Sequence, residues 1–292
     1  MLDQFREQGN IQFVALAVLI FLLLMVVEHL VPLRRQNRVR LPRWRVNLSM
    51  SLLVFGTGAW LLKPVAATLT LIAAQRGTGL LGWLNLPPGA AWVLGFLLMD
   101  LTFYWWHRAN HQLAILWRLH AVHHLDPDLD TTTAFRFHAV EIVLSIAFRV
   151  LQVMVIGVTP AVYASYEIAF TVCTIFHHSN VCLPLWIERP LNLLLVTPRM
   201  HGVHHSVWRS ETNSNYSVVF RIWDTLFRSI RLNVPQADVE IGIPGYSHPD
   251  DNRLLALLAM PFRSQRDYWK ADGAQRLIRV LSGKGSANRM AE

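Results

Sequence analysis

Eight of the chain's thirteen histidines fall into three short clusters: His107-x3-His111, His120-x2-His123-His124 and His201-x2-His204-His205. Residues three and four apart share one face of a helix, so each cluster can aim two or three imidazoles at a common point. Neutral imidazole suits iron, zinc and copper. The clusters supply more nitrogen than one four-coordinate zinc can use, and the economical reading is a site for two metal ions. His29 and His248 stand alone and read as interfacial or surface side chains.

Such clusters need elements to hold them. The 292 residues are 53% hydrophobic and 16% charged, with eleven Trp and fourteen Phe. That balance, with long apolar runs, indicates an all-α integral membrane helical bundle of about 4–5 spans. Residues 11–33 are the cleanest run. Asp3, Arg6 and Glu7 before it are not net basic, and arginines rather than a cleavage site follow, so it reads as an uncleaved anchor. A second run, 47–74, is interrupted by Lys63-Pro64. It is either one long tilted helix or two half-helices broken at the proline. A third covers 90–106, and 140–156 with 161–176 form a hairpin across the turn at 157–160.

Arg34, Arg35, Arg38, Arg40, Arg43 and Arg45 follow the first span and place that loop in the cytoplasm. If the second run crosses once, every histidine cluster emerges on the same cytoplasmic face, as a histidine-rich helical cap. A re-entrant second run would break that agreement. The net charge of +8 fits anionic lipid headgroups through the arginine loop and the tail residues Arg263, Arg266, Lys270, Arg276, Arg279 and Lys284. No motif points to nucleic acid, and two cysteines are too few for a disulfide framework.

The three boxes occur in order with Phe176-His-His-Ser-Asn180, Thr197-Pro-Arg-Met-His201, Asn213-Ser-Asn-Tyr216 and Trp223-Asp224. Together they resemble the fatty acid hydroxylase/sterol desaturase superfamily of membrane di-iron oxygenases, its bacterial members in particular. The resemblance covers residues 90–230, a catalytic domain between a membrane anchor region at 1–89 and a basic cytosolic C-terminal tail at 231–292. It implies ten iron ligands. Eight are the cluster histidines His107, His111, His120, His123, His124, His201, His204 and His205. His138 and His178 sit where the family places further histidines near the ends of the hairpin. His177 competes with His178; neighbours on a helix point about 100° apart, so one of the two enters the site. The position beside Ser179-Asn180 favours His178.

Asp100 lies within an apolar span, where a carboxylate is costly. It either orients a ligating imidazole or makes a helix–helix hydrogen bond. Asn180, Arg199, Asn213 and Asp224 are either outer partners of the ligands or caps and turns. The resemblance implies that two iron ions activate O2 with two external electrons. The product is a hydroxylated or desaturated lipid, whether fatty acyl, sterol, alkylglycerol or a related class. The chain has no flavin or dinucleotide fingerprint, so the electrons come from a ferredoxin or cytochrome b5-type carrier with its reductase. The expected place is a bacterial inner membrane with the site on the cytoplasmic side. Two other classes compete. A membrane metal transporter would carry its ligands near the bilayer midplane. A zinc-dependent membrane hydrolase would want a general-base glutamate beside them, and none stands out in the sequence.

Overall fold

The computed structural model describes residues 2–36 and 39–269. Arg38 and the tail residues Lys270, Arg276, Arg279 and Lys284 lie outside them. The chain begins with α1 (Leu2–Leu30) and α2 (Arg40–Thr57). A π turn (Gly58–Leu62) leads into α3 (Lys63–Arg76), which is followed by the short α4 (Gly79–Leu84). The bundle continues with α5 (Pro88–Gln112), α6 (Ala114–His124), α7 (Ala139–Ile156) and α8 (Pro160–His178). Five short helices follow: α9 (Leu185–Leu191), α10 (Pro198–His204), α11 (Arg209–Thr212), α12 (Ile222–Leu226) and α13 (Leu254–Ala259). No strand occurs among the described residues, so the fold is all-α as expected.

Gln12–Leu30, Arg40–Leu84 and Ala139–Ile156 are long and apolar enough to cross a membrane. Helix α5 packs against both α7 and α8, and α7 reaches α8 through Arg149. The bundle buries polar groups beside its apolar core and turns apolar side chains outward. Helix α7 buries Glu141, Arg149 and Gln152 and exposes Val143, Leu151, Met154 and Val155. Gln152 Nε2 donates to Met99 O (3.1 Å) and Thr102 Oγ1 (2.6 Å) on α5. Arg149 Nε lies 3.2 Å from Glu167 Oε1 on α8, which gives that carboxylate a partner. In lipid, where tails are as apolar as leucine, such polar contacts and close packing hold helices together.

The second apolar run extends from one end of α7 to the other without doubling back. At one end of the bundle Asn47 Oδ1 accepts from Arg136 Nη1 (2.7 Å), just before α7 begins. At the other, Gly79 packs on Gly157, where α7 ends. The chain therefore runs alongside α7 from end to end. Pro64 lacks an N–H and its ring crowds the carbonyl four residues back. The wider π turn immediately before it absorbs that conflict without reversing the chain. Gly157 has φ +75° and closes α7. A Cβ there would lie 2.2 Å from Thr78 O, so the approach of the two turns depends on the missing side chain.

Two sequence expectations change. Arg34 and Arg43 do not line a basic surface but are buried. Arg34 donates to Gln236 Oε1 (2.6 Å) and lies over Gly202. Arg43 pairs with Asp126 (3.4 Å) and Asp130. Those partners are far away in sequence, so the charge pattern alone did not reveal them. Arg35, Arg40 and Arg45 remain exposed. The segment read as a tail is also partly core. Ile243, Tyr246, Leu257 and Met260 pack with Trp117, Ala121 and Val122 of α6, with Leu125 just after it, and with Met50 of α2.

Candidate metal centre

Nine histidines converge into two groups, with the potential ligand atoms of each within 4.8 Å of one another. One group is His107, His111, His120, His124 and His204; the other is His123, His178, His201 and His205. Helix α5 ends at Leu113, whose extended backbone lets α6 turn back, and the two supply five of these rings. Adjacent members of a box point to different groups. Thus α6 gives His120 and His124 to one and His123 to the other, while α10 and its cap give His204 to one and His201 and His205 to the other. All nine rings are buried.

Most rings are held at Nδ1. His107 Nδ1 donates to Tyr216 O (2.7 Å), His123 to Arg136 O (3.3 Å), His178 to Thr174 O (2.8 Å) and His204 to Ser214 O (2.7 Å). A carbonyl only accepts, so each of these Nδ1 atoms carries the proton and Nε2 presents a bare lone pair. His120 Nδ1 is 2.7 Å from Glu141 Oε1, which fixes the same tautomer. The Nε2 atoms of His178 and His123 then face each other at 3.0 Å. Two lone pairs at that distance repel unless a cation lies between them. Buried nitrogens also lack a partner: Nε2 of His120 and His204, and both nitrogens of His111 and His124. Leaving such atoms unmet costs about 1–3 kcal/mol each; a metal ion held by the first group would satisfy one nitrogen of each of these four rings. Burial first, and neighbouring imidazoles second, hold His123, His124, His201 and His205 well below the ordinary histidine pKa. They are therefore neutral at neutral pH, the state a metal requires. Phe137 stacks on His123 (4.4 Å) and Trp117 leans on His111 (5.0 Å), giving the site apolar walls.

The loop from Asn213 to Ser217 carries two of the orienting carbonyls. Asn215 takes the left-handed φ of 54° that asparagine tolerates, and its Nδ2 donates to Met200 O (2.9 Å). Asp224 accepts from Tyr216 N (2.8 Å), Ser217 N (2.9 Å) and Ser229 Oγ (2.7 Å). It acts on His107 and His204 through this loop and touches neither ring.

The remaining expected residues fall elsewhere. His138 is not brought to either group. It caps α7, accepting from Val140 N at Nδ1 (3.2 Å), and its Nε2 meets Leu258 O (3.1 Å). Its position at a helix start explains it as a cap. His177 lies beside His201 (4.1 Å between centroids) but outside the second group, which His178 joins. Asp100 accepts from Trp223 Nε1 (2.7 Å) and Phe220 N (3.0 Å), tying α5 to the α12 segment rather than to an imidazole. Arg199 pairs with Glu188 (2.8 Å). Asn180 brackets Arg34, accepting from its N and donating to its O. Asn213 lines a cavity beside His111.

Glu141, beside His120, is not among the residues expected at the site, and no glutamate was expected near the ligands. Its signal was present: an acid in the first turn of a hydrophobic helix, three residues after His138. Removing a carboxylate that orients a ligating histidine typically costs 10–100-fold in metal affinity. Glu141→Ala is expected to weaken metal binding by about that factor, with partial recovery in Glu141→Gln, read by chelator competition. Unchanged affinity in Glu141→Ala would mean the contact orients nothing.

Residues 92–229 match the family model described as fatty acid hydroxylase. That range contains all nine grouped histidines. The chain is 32% identical over 167 residues to alkylglycerol monooxygenase of Homo sapiens, covering 56% of this chain and 35% of that protein. It is 31% identical over 170 residues to ornithine lipid hydroxylase OlsE of Rhizobium tropici, covering 58% and 50%. Very-long-chain aldehyde decarbonylase GL1-4 of Oryza sativa subsp. indica is 27% identical over 141 residues, covering 45% and 22%. The chain thus spans no more than half the length of these relatives. No solved structure matches it. Residues 92–229 are thus a fatty acid hydroxylase domain.

Proposed function

We propose that the chain is a membrane di-iron oxygenase that hydroxylates or desaturates an unactivated C–H position of a lipid, using O2 and two electrons from a separate carrier. The observation that carries this is the pairing of two all-histidine groups in one buried site, with bare Nε2 atoms facing each other. His107, His111, His120, His124 and His204 would hold one ion and His123, His178, His201 and His205 the other. Two iron ions in a nitrogen-rich site supply O2 activation strong enough to break an unactivated C–H bond. The chain's own part is to hold the rings, through Glu141 and the carbonyls of Arg136, Thr174, Ser214 and Tyr216, and to exclude water with Phe137 and Trp117. The names of the human and Rhizobium relatives favour hydroxylation. The histidines gather at one end of the bundle rather than midway along it, which disfavours a transporter.

Purified protein is expected to hold two iron ions per chain and, with a reductase system, to consume O2 as a lipid gains the mass of one oxygen. Zinc at full occupancy with no O2 uptake would overturn the proposal in favour of a hydrolase. We place the histidine end in the cytoplasm, by the arginine rule. Single cysteines near 115 and 210 should label only from inside, and one near 158 only from outside; the reverse pattern would invert the protein.

A further inference from the structure

A cavity of about 330 Å³ opens beside the first histidine group. His111 and Tyr216 form part of its wall, and Arg108, Arg209 and Arg228 bring three guanidinium groups to the rest. No carboxylate lines it. The carboxylate near this wall, Asp224, is fully buried and occupied by Tyr216 N, Ser217 N and Ser229 Oγ. Arg108 is held over the Trp105 ring (5.2 Å) and the Tyr216 ring (5.9 Å), and its buried Nε has no partner. Arg209 and Arg228 are exposed at the mouth. Trp105, beneath Arg108, is 45% exposed, and Leu226, two residues before Arg228, is 62% exposed. Trp105 and Arg108 lie where the third apolar run ends, the depth at which tryptophan and basic residues meet lipid headgroups.

We infer that this cavity holds the anionic head group of the lipid substrate, a phosphate or carboxylate, with the chains lying over the apolar rim. The inference rests on the oxygenase reading and narrows its substrate to an anionic amphiphile. Arginine forks match both anions in geometry and charge. The volume admits a head group and not a whole lipid. Because His111 belongs both to the cavity wall and to the metal group, the carbon presented to the metals lies only a few bonds from the head group. Oxidation near the head, rather than at the chain end, follows.

The test is calorimetric titration of the protein in nonionic detergent with three probes: dodecyl phosphate, neutral 1-dodecylglycerol and inorganic phosphate. Losing charge-assisted hydrogen bonds should weaken binding by about tenfold or more. Wild type is expected to prefer dodecyl phosphate to dodecylglycerol by at least that factor, and less so as salt rises. Arg209→Gln/Arg228→Gln, whose side chains are exposed, should lose most of the preference while retaining its metal. No preference in wild type, or full preference in the variant, would overturn the inference. Inorganic phosphate binding as tightly as dodecyl phosphate would make this a free-anion site and overturn it too. Binding is read without turnover, so a negative result leaves the oxygenase proposal standing. Failure of O2 uptake, conversely, leaves the binding result intact.

Discussion

His123→Ala and His204→Ala each abolish O2-dependent lipid oxidation and strip iron from the protein: that is the expected result, although the two residues serve different groups. The reason is the way the rings are dealt out. Helices α6 and α10 each contribute to both groups, so a ring lost from one leaves a gap that the shared helix transmits to the other. Altering an outer partner typically costs 10–100-fold, and removing a ligand should cost about 100-fold or more in turnover. His178→Ala belongs with these severe variants. His138→Ala is the control. Its ring caps α7 and meets Leu258 O, so it should retain iron and most activity. Iron per chain and product mass, measured on the same preparations, decide the matter. Wild-type turnover in His123→Ala or His204→Ala would remove that residue from the ligand set, and iron loss in His138→Ala would restore it there.

Without an electron carrier the purified protein, given iron, lipid and O2, is expected to stay idle. Each turnover needs two electrons, and the sequence carries no flavin or dinucleotide fingerprint. Addition of a ferredoxin or cytochrome b5-type carrier with its reductase should start turnover. Arg35, Arg40 and Arg45 remain exposed at the histidine end, which suits an acidic carrier surface. Turnover at limiting carrier should then fall as salt rises, because exposed charges are screened over ~8–10 Å at physiological ionic strength. Sustained turnover with NADPH and no second protein would refute this.

The convergence of the nine grouped histidines was legible because residue type and helical spacing are both local. His138 was misplaced because a histidine that caps a helix and one that binds metal look alike in sequence. What separates them is Leu258, 120 residues away. Glu141 went unassigned for the same reason: its partner His120 lies on another helix. Asp100 had two readings, and only the position of Trp223 chose between them. The arginines at 34 and 43 counted as surface charge until their carboxylate and amide partners were known. The motif at 213–216 stood open between outer partner and turn because its work is done by backbone carbonyls, which every residue possesses.

Helix α1 turns nearly all of its apolar length outward, with 6% of the Gln12–Leu30 window buried. Near its end, Glu28 Oε2 takes Thr131 N (3.0 Å), Thr131 Oγ1 (2.8 Å) and Asn180 N (2.9 Å). One carboxylate thus fastens the helix to the floor of the histidine site, two residues from His178. Pinned at one end and apolar along the rest, α1 is free to lean with the thickness of a bilayer while its fixed end holds the histidine site at a constant height.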